Sequence, residues 1–206
     1  MKPFLLLFGI SFILNFPSIA QSEKTMDDNL ISELPYYQIP DYPENYTPAT
    51  VAARMIDGLG FRYFWATESL RKEDLEFKPN DEARTVLETL DHILSLSLVI
   101  LNAIKNEANI RSPEKEDISY EQLRKRTLEN LKEASDLLKS DKEKDLTNCN
   151  VIFKRGEKTT TYPFWNLING PIADAIWHVG QVVSFRRSSG NPLHPKVNVF
   201  NGKLRD

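Results

Sequence analysis

Two of the three histidines in this 206-residue chain stand where they can bind a metal ion together with an aspartate. Asp174 and His178 are four residues apart. On a helix this spacing puts the carboxylate and the imidazole on one face, about 6 Å apart along the axis. Ligand pairs at this spacing hold zinc in helical metal motifs. An ordinary Asp–His pair on a solvated helix face has the same spacing, so the pair alone leaves both interpretations open.

His92 is the other candidate ligand, because it lies in the most apolar of the predicted helices. A buried imidazole needs a partner for each ring nitrogen, and an unmet group costs about 1 to 3 kcal/mol. A metal ion is one such partner, and a neighbouring side chain or carbonyl group is the alternative. Gln181 continues the face of Asp174 and His178 toward the C-terminus, where its amide can orient a ligand or a bound water.

The set of His92, Asp174 and His178 predicts a divalent metal ion as the cofactor. Three protein ligands leave coordination positions for water and substrate, which is typical of catalytic sites and not of structural ones. Two imidazoles and one carboxylate favour zinc and also suit nickel, iron(II) and manganese.

The remaining histidine and the single cysteine carry weaker signals. His194 stands between Pro192 and Pro195, in a loop beyond the last helix, so we expect a surface residue. It can become a fourth ligand only if the tail folds back over the helices. Cys149 adjoins an apolar run and has no basic partner nearby that would activate a thiol, so we expect a buried packing residue.

Four helices are expected to position these residues. Their predicted bounds are Thr47 to about Arg71, Val86 to Ala108, Ser119 to about Ser140, and Pro171 to just before Gly190. Three starts are marked by Thr47 with Pro48, by the capping box of Thr85 and Glu88, and by that of Ser119 and Gln122. The second helix is apolar on nearly every side, which indicates burial, whereas the third has one apolar stripe and indicates an outer helix.

The rest of the chain adds one hairpin and no second domain. Asn150 to Lys154 and Lys158 to Tyr162 are rich in β-forming residues and are separated by a turn centred on Gly156. Four helices with this hairpin predict an all-α fold, an antiparallel four-helix bundle with a small β-hairpin before the last helix. The bundle domain and its tail occupy residues 47–206, after a proline-rich extended lead-in over residues 21–46 whose tyrosines can lie against the domain.

The first 20 residues have the pattern of a secretory signal peptide. Lys2 supplies the positive start, an apolar run extends from Phe4 to Phe16, and small residues at Ser18 and Ala20 mark a cleavage site. The run is short compared with the roughly 20 residues that cross a bilayer, although an uncleaved anchor is the alternative. We therefore expect an exported protein, periplasmic or secreted, with no membrane span after cleavage.

The net charge of the chain limits the classes of binding partner that we expect. The net charge is −3, and removal of Lys2 with the signal would make it more negative. A mildly acidic chain without a basic block is a poor candidate for binding nucleic acid or anionic membranes. A small-molecule substrate is the expected partner, and apolar positions on the outer helices would allow a homodimer.

A histidine in the second helix and the late segment Asp174-Ala-Ile-Trp-His178-Val-Gly-Gln181 resemble the DinB/YfiT-like family of metal-binding bundles. The resemblance spans roughly residues 47–190. The family usually has one histidine in the second helix and two histidines four apart in the last, often followed by Gly-Gln. His92, His178 and the Gly180-Gln181 pair match this pattern, whereas Asp174 stands where the family has a histidine. An aspartate can still ligate, so the departure concerns which metal is bound and whether the site is filled.

The resemblance implies a metal-dependent hydrolase or thiol transferase acting on an unknown small molecule. The alternative is a non-catalytic binding or stress-associated bundle with a structural or decayed site. A nucleic-acid role, suggested by damage-inducible relatives, conflicts with the acidic charge and the export signal. Asp57, Glu68 and Glu88 are candidate general bases, but each has a simpler structural role, so the catalytic residues stay unassigned.

Overall fold

The computed structural model describes residues 34–110, 116–140 and 144–206. The signal-peptide prediction for residues 1–20 and the first part of the lead-in, residues 21–33, lie outside this part of the chain. Within it most residues are helical and two small sheets accompany the helices, so the mainly-α class is confirmed.

The elements follow the predicted order with additions. The helices are α1 (Pro48–Thr67), α2 (Lys72–Glu76), α3 (Val86–Lys105), α4 (Tyr120–Ser140), α5 (Phe164–Leu167) and α6 (Ala173–Ser188). The strands are β1 (Ala108–Ile110), β2 (Val151–Arg155), β3 (Lys158–Tyr162), β4 (Val197–Asn198) and β5 (Lys203–Leu204). A 3-10 turn at Leu146–Asn148 precedes β2, and a π-helical turn at Ile168–Ile172 joins α5 to α6.

The predicted hairpin is confirmed as β2 and β3, which pair antiparallel. Two features of the sheets are absent from the prediction. β1 adds to β2 in parallel, and β4 pairs with β5 in a separate two-stranded sheet in the tail. Both additions are only two or three residues long, too short to show an alternating pattern.

The four long helices contact one another in a closed cycle. α4 packs against α1 and α3, and α6 packs against the same two helices from the other side of the cycle. Fully buried side chains from each fill the space between them, among them Ile56, Leu90, Ile93, Leu131 and Val182. Removing this apolar surface from water is the main favourable term in folding.

α3 begins as predicted and ends early. The Thr85 hydroxyl accepts a hydrogen bond from the Glu88 N–H (3.1 Å), and the Glu88 carboxylate accepts one from the Thr85 N–H (2.8 Å). The helix ends at Lys105, and not at Ala108, because Asn106 adopts the left-handed conformation (φ 56°, ψ 38°). Among the described helices α3 alone is long and apolar enough to cross a membrane, a criterion that core helices also meet.

The predicted end of the first helix and the predicted start of the last are wrong. α1 ends at Thr67 and not near Arg71, because Ser69 takes a positive φ of 57° that turns the chain. The last helical run begins at Phe164, seven residues before Pro171. Pro171 lies inside the π-helical turn, where the wider turn tolerates a residue without an N–H.

The lead-in and the tail are fixed to the helices. Tyr36 is buried, and its hydroxyl donates to an Asp57 carboxylate oxygen at 3.0 Å. Tyr42 is 79% exposed, yet its ring lies against the Arg54 guanidinium on α1, 4.7 Å from the ring centroid, whereas Tyr46 is 97% exposed. The Ile39 N–H donates to the Gly202 carbonyl (2.8 Å), which joins lead-in and tail.

A buried polar cluster holds the end of α1 against the end of α6. The Arg186 guanidinium, on α6, donates to the carbonyls of Trp65 and Ala66, both at 3.0 Å. These carbonyls belong to the last turn of α1, where the helix itself offers no donors. The arginine therefore caps α1 from a neighbouring helix.

Candidate metal centre

The structure brings the three predicted ligands together at the contact between α3 and α6. His92 lies in the second turn of α3, whereas Asp174 and His178 lie in the first two turns of α6. One ligand atom from each side chain lies within 4.8 Å of the other two. The juxtaposition depends on the packing of two helices that are far apart in sequence.

Asp174 lies between the two imidazoles. Its Oδ2 is 3.2 Å from His92 Nε2, and its Oδ1 is 3.3 Å from His178 Nε2. The two rings are nearly perpendicular, with centroids 4.7 Å apart and an interplanar angle of 84°. A tetrahedral ion with bonds of about 2.0 to 2.1 Å separates its ligand atoms by about 3.3 Å. The measured separations therefore fit shared coordination, although hydrogen bonds have similar lengths.

Gln181 contacts the ring nitrogen of His178 that points away from Asp174, and this contact bears on which nitrogen carries the proton. Its Oε1 lies 2.7 Å from His178 Nδ1. With the Gln181 amide in this orientation its oxygen accepts from Nδ1–H, and in the neutral imidazole of that tautomer Nε2 is an acceptor. That lone pair faces a carboxylate oxygen of Asp174 at 3.3 Å. Two acceptors in this position repel each other unless a cation lies near both or His178 carries a second proton.

The cluster is half-buried, with one side open to solvent. The side chains of His92, Asp174 and His178 are 31%, 39% and 16% exposed. Burial of this degree restrains the side chains while leaving access for water or a small molecule.

A cleft of about 500 Å³ opens onto the cluster. Its lining residues are Ala83, Arg84, Thr89, His92, Asp174, His178, Gln181 and Phe185. The size is within the range of small-molecule sites, which run from about 300 to 1,000 Å³. Among these described lining residues Arg84 is the one permanent cation and Asp174 the one carboxylate.

The candidate general bases lie outside the cleft lining and have structural partners. Asp57 accepts from Tyr36 and from Lys139, at 3.0 and 3.3 Å. Glu68 forms an ion pair with Arg124 at 2.5 Å. Glu88 caps the start of α3, as the sequence predicts.

His194 and Cys149 lie where the sequence predicts. His194 is in an exposed loop, where its Nδ1 accepts from the Lys196 N–H (3.3 Å) and its ring contacts Trp65. It does not join the three-residue cluster. Cys149 is fully buried, and this burial raises the pKa of its thiol. Neither residue has the surroundings of a reactive group.

The other residues that line the cleft, Phe185, Thr89 and Arg84 among them, are absent from the sequence prediction. Phe185 lies four residues after Gln181 on α6, and Thr89 lies three residues before His92 on α3, so helical periodicity alone could have found both. Arg84 precedes the cap residue of α3, and nothing in its local sequence indicates that it lines the cleft with the histidines.

A larger depression of about 730 Å³ lies elsewhere, between residues 34–35 and α4. Charged side chains on its α4 wall already have partners. Lys132 pairs with Asp136 at 2.5 Å, and Glu133 pairs with Lys105 at 2.6 Å. It has no histidine in its lining, so we place the candidate chemistry in the smaller cleft.

No family model, curated protein or solved structure matches this chain. The site is therefore defined by its own side chains: two imidazoles and a carboxylate in contact, one imidazole oriented by Gln181, at the floor of an open cleft.

Proposed function

We propose that this chain binds one divalent metal ion through His92, Asp174 and His178. The observation that carries the proposal is the hydrogen bond from His178 Nδ1 to Gln181. It turns the Nε2 lone pair toward Asp174, an arrangement that a bound cation stabilises and that metal-ligating histidines commonly show. Zinc is the first choice for this ligand set, with nickel, iron(II) and manganese as alternatives.

We further propose that the site is catalytic, as a metal-dependent hydrolase or thiol transferase on a small molecule. When bound, the ion supplies Lewis acidity that polarises a substrate oxygen or thiol. The chain's own residues do the positioning: the three ligands hold the charge at the floor of the cleft, and Gln181 keeps the His178 proton on Nδ1. The open cleft, with only three protein ligands, supports a catalytic and not a purely structural site.

Membership of the DinB/YfiT-like family, with its antiparallel four-helix bundle, is part of the same proposal. It is supported by the closed cycle of contacts among α1, α4, α3 and α6. It is also supported by the positions of His92 and His178 on the second and last long helices. Asp174 in place of the second family histidine gives the proposed ion one anionic ligand.

A second candidate function is a non-catalytic binding or stress-associated protein. One observation favours it: among the described residues that line the cleft, Asp174 is the only carboxylate, and the two histidines already contact it. A cluster in which protons replace the ion would keep the same contacts. Metal content separates the proposed metal site from a decayed one, and an exchangeable water on the bound ion separates a catalytic site from a structural one.

The test is the metal content of tag-free protein, measured by mass spectrometry on wild type and on His92→Ala, Asp174→Ala and His178→Ala. We expect about one equivalent of a single metal in wild type and its loss in each folded variant. His194→Ala is the matched control and should keep the metal. Wild-type protein that takes up none of zinc, iron, nickel and manganese would refute the metal site.

Export is proposed on the sequence of residues 1–20 alone. The mass of the protein recovered outside the cytoplasm tests it. A mature chain that begins at Gln21 is the expected result, and an intact Met1 on protein retained in the cytoplasm would contradict it.

A further inference from the structure

Arg84 stands at the cleft with no partner of its own in the described part of the chain. Its guanidinium makes no hydrogen bond or ion pair there and is exposed, on the lining of the cleft that holds the histidines. Other arginines nearby are engaged: Arg71 with Asp74 at 2.8 Å, and Arg186 with backbone carbonyls at 3.0 Å. Arg84 is therefore free to bind something that enters the cleft.

We propose that the cleft takes a small substrate that carries a carboxylate, which Arg84 binds while the reacting group lies at the His92–Asp174–His178 cluster. This inference rests on the proposed function and names its substrate class. Arg84 acts as a specificity-determining residue, because its planar guanidinium binds a carboxylate through two parallel hydrogen bonds.

The charge of the cleft favours an anion. A divalent ion and Arg84 together contribute three positive charges, against one negative charge from Asp174, so the lining is net positive with the ion bound. The Glu88 carboxylate, which accepts from the Thr85 N–H at the start of α3, is not among the residues that line the cleft. A cleft with walls of one sign and partly desolvated surroundings raises the local concentration of the opposite charge.

The distance between the two recognition points limits the size of the substrate. Arg84 precedes Thr85, the cap of α3, and His92 lies in the second turn, so the helical part of the gap, from Val86 to His92, is about 9 Å along the axis. The long arginine side chain shortens the gap that a ligand must bridge. A cleft of about 500 Å³ is of the size that takes a small molecule.

The remaining walls suit an uncharged body between the two ends. Phe185 and Ala83 supply apolar surface. The Phe185 ring contacts the Phe77 ring, with centroids 5.9 Å apart, which holds it in place. The side chain of Thr89 donates its hydroxyl to the Thr85 carbonyl, so it offers no free donor. The recognised features are therefore one anion, one apolar segment and one metal-binding group.

The experiment compares two thiols that differ only in charge, 3-mercaptopropionate and 3-mercaptopropanol, binding to the cobalt(II)-loaded protein. Thiolate binding to cobalt gives a charge-transfer absorption, so dissociation constants are measured without knowing the substrate. We expect the carboxylate to bind about tenfold tighter to wild type, the lower end for a hydrogen bond to a charged group. The preference should weaken as salt is added, because the arginine is exposed.

Arg84→Gln should remove the preference and leave the affinity for 3-mercaptopropanol unchanged, whereas Arg84→Lys should keep part of it. Arg187→Gln, which alters an exposed arginine on α6 outside the cleft lining, is the matched control and should behave as wild type. Equal affinities in wild type, or a preference that survives in Arg84→Gln, would overturn the inference while cobalt binding still supports the metal site. Failure to bind cobalt at all would overturn the proposed function and this inference with it.

Discussion

Removing the Gln181 carbonyl tests whether the orientation of His178 matters for the proposed metal site. In Gln181→Leu the side chain keeps a similar volume but can no longer accept a hydrogen bond from His178 Nδ1–H. The lost hydrogen bond is 2.7 Å long and lies in a half-buried site. A bond of this type contributes about 1 kcal/mol, a factor of about 5 in affinity.

The expected loss of metal affinity is larger than this factor, because the variant also loses the preference for one tautomer of the His178 imidazole. Without Gln181, the Nδ1–H form that turns the Nε2 lone pair toward Asp174 is no longer favoured. Loss of a partner behind a ligating histidine typically lowers metal affinity 10- to 100-fold. We therefore expect a zinc dissociation constant raised about tenfold in Gln181→Leu.

Competition for zinc with a chromophoric chelator measures this change, and nitrogen NMR of the imidazole reports the tautomer of His178. Gln181→Glu restores an acceptor and should bind zinc at least as tightly as wild type. Ser184→Ala, at an exposed position further along α6, is the matched control. If Gln181→Leu binds zinc within twofold of wild type, with the tautomer unchanged, then the orienting role of Gln181 is wrong.

Two further predictions concern stability. Asp74 is buried, and the Arg71 guanidinium holds the pKa of its carboxyl well below the usual range. This contribution to the free energy of unfolding is present above pH about 4 and is lost as the pH falls below it. Asp74→Asn should therefore lower the free energy of unfolding by about 2 kcal/mol at pH 7, and stability measured by urea unfolding should fall less steeply toward acid pH. An unchanged pH profile would contradict the assignment. Gly60→Ala should lower the free energy of unfolding by about 1 to 3 kcal/mol, since the added Cβ would lie 2.5 Å from the Tyr36 ring. The control in the same thermal unfolding assay is Gly180→Ala, whose Cβ would meet open space and which should stabilise α6 slightly. A Gly60→Ala protein as stable as wild type would refute the close packing of Tyr36.

Helix starts could be predicted from the sequence because their signals are local. Thr47 with Pro48, and the capping boxes at Thr85 and Ser119, contain within four residues the groups that satisfy the first free N–H donors. The structure places each of these starts within one residue of the prediction. The capping hydrogen bonds that begin each helix are made by residues close together in the sequence.

Helix ends and the π-helical turn could not be predicted in this way. Asn106 is an ordinary residue in a helical pattern until it adopts a left-handed conformation, and Ser69 likewise carries no strong stop signal. Pro171 reads as the first residue of a helix, although the helical run begins earlier at Phe164. These outcomes depend on what the neighbouring helices cover, which a short window of sequence does not contain.

The candidate site was predictable in its ligands and not in its surroundings. The spacing of Asp174 and His178 is a property of one helix, and the apolar setting of His92 required a partner for its ring. These residues come together because α3 packs on α6. The sequence predicts that α3 is buried but not which helix it contacts. Arg84 was missed because its place is set by the direction from which the chain enters α3, a matter of tertiary structure.

The π-helical turn makes the site sensitive to insertions before α6 and not only to substitutions. A turn of this kind accommodates one residue more than a regular turn, so it shifts the angular phase of α6 relative to α5. The buried faces of Phe164 and Leu167 before it, and of Val179 and Val182 after it, are both kept on the core only with that shift. Inserting a further residue into Ile168–Ile172, beyond the one that the π turn absorbs, would turn α6 by about 100°. Asp174 and His178 would then leave the cleft together, with every ligand still present in the sequence. The length of this turn is therefore as much a part of the site as the ligands themselves.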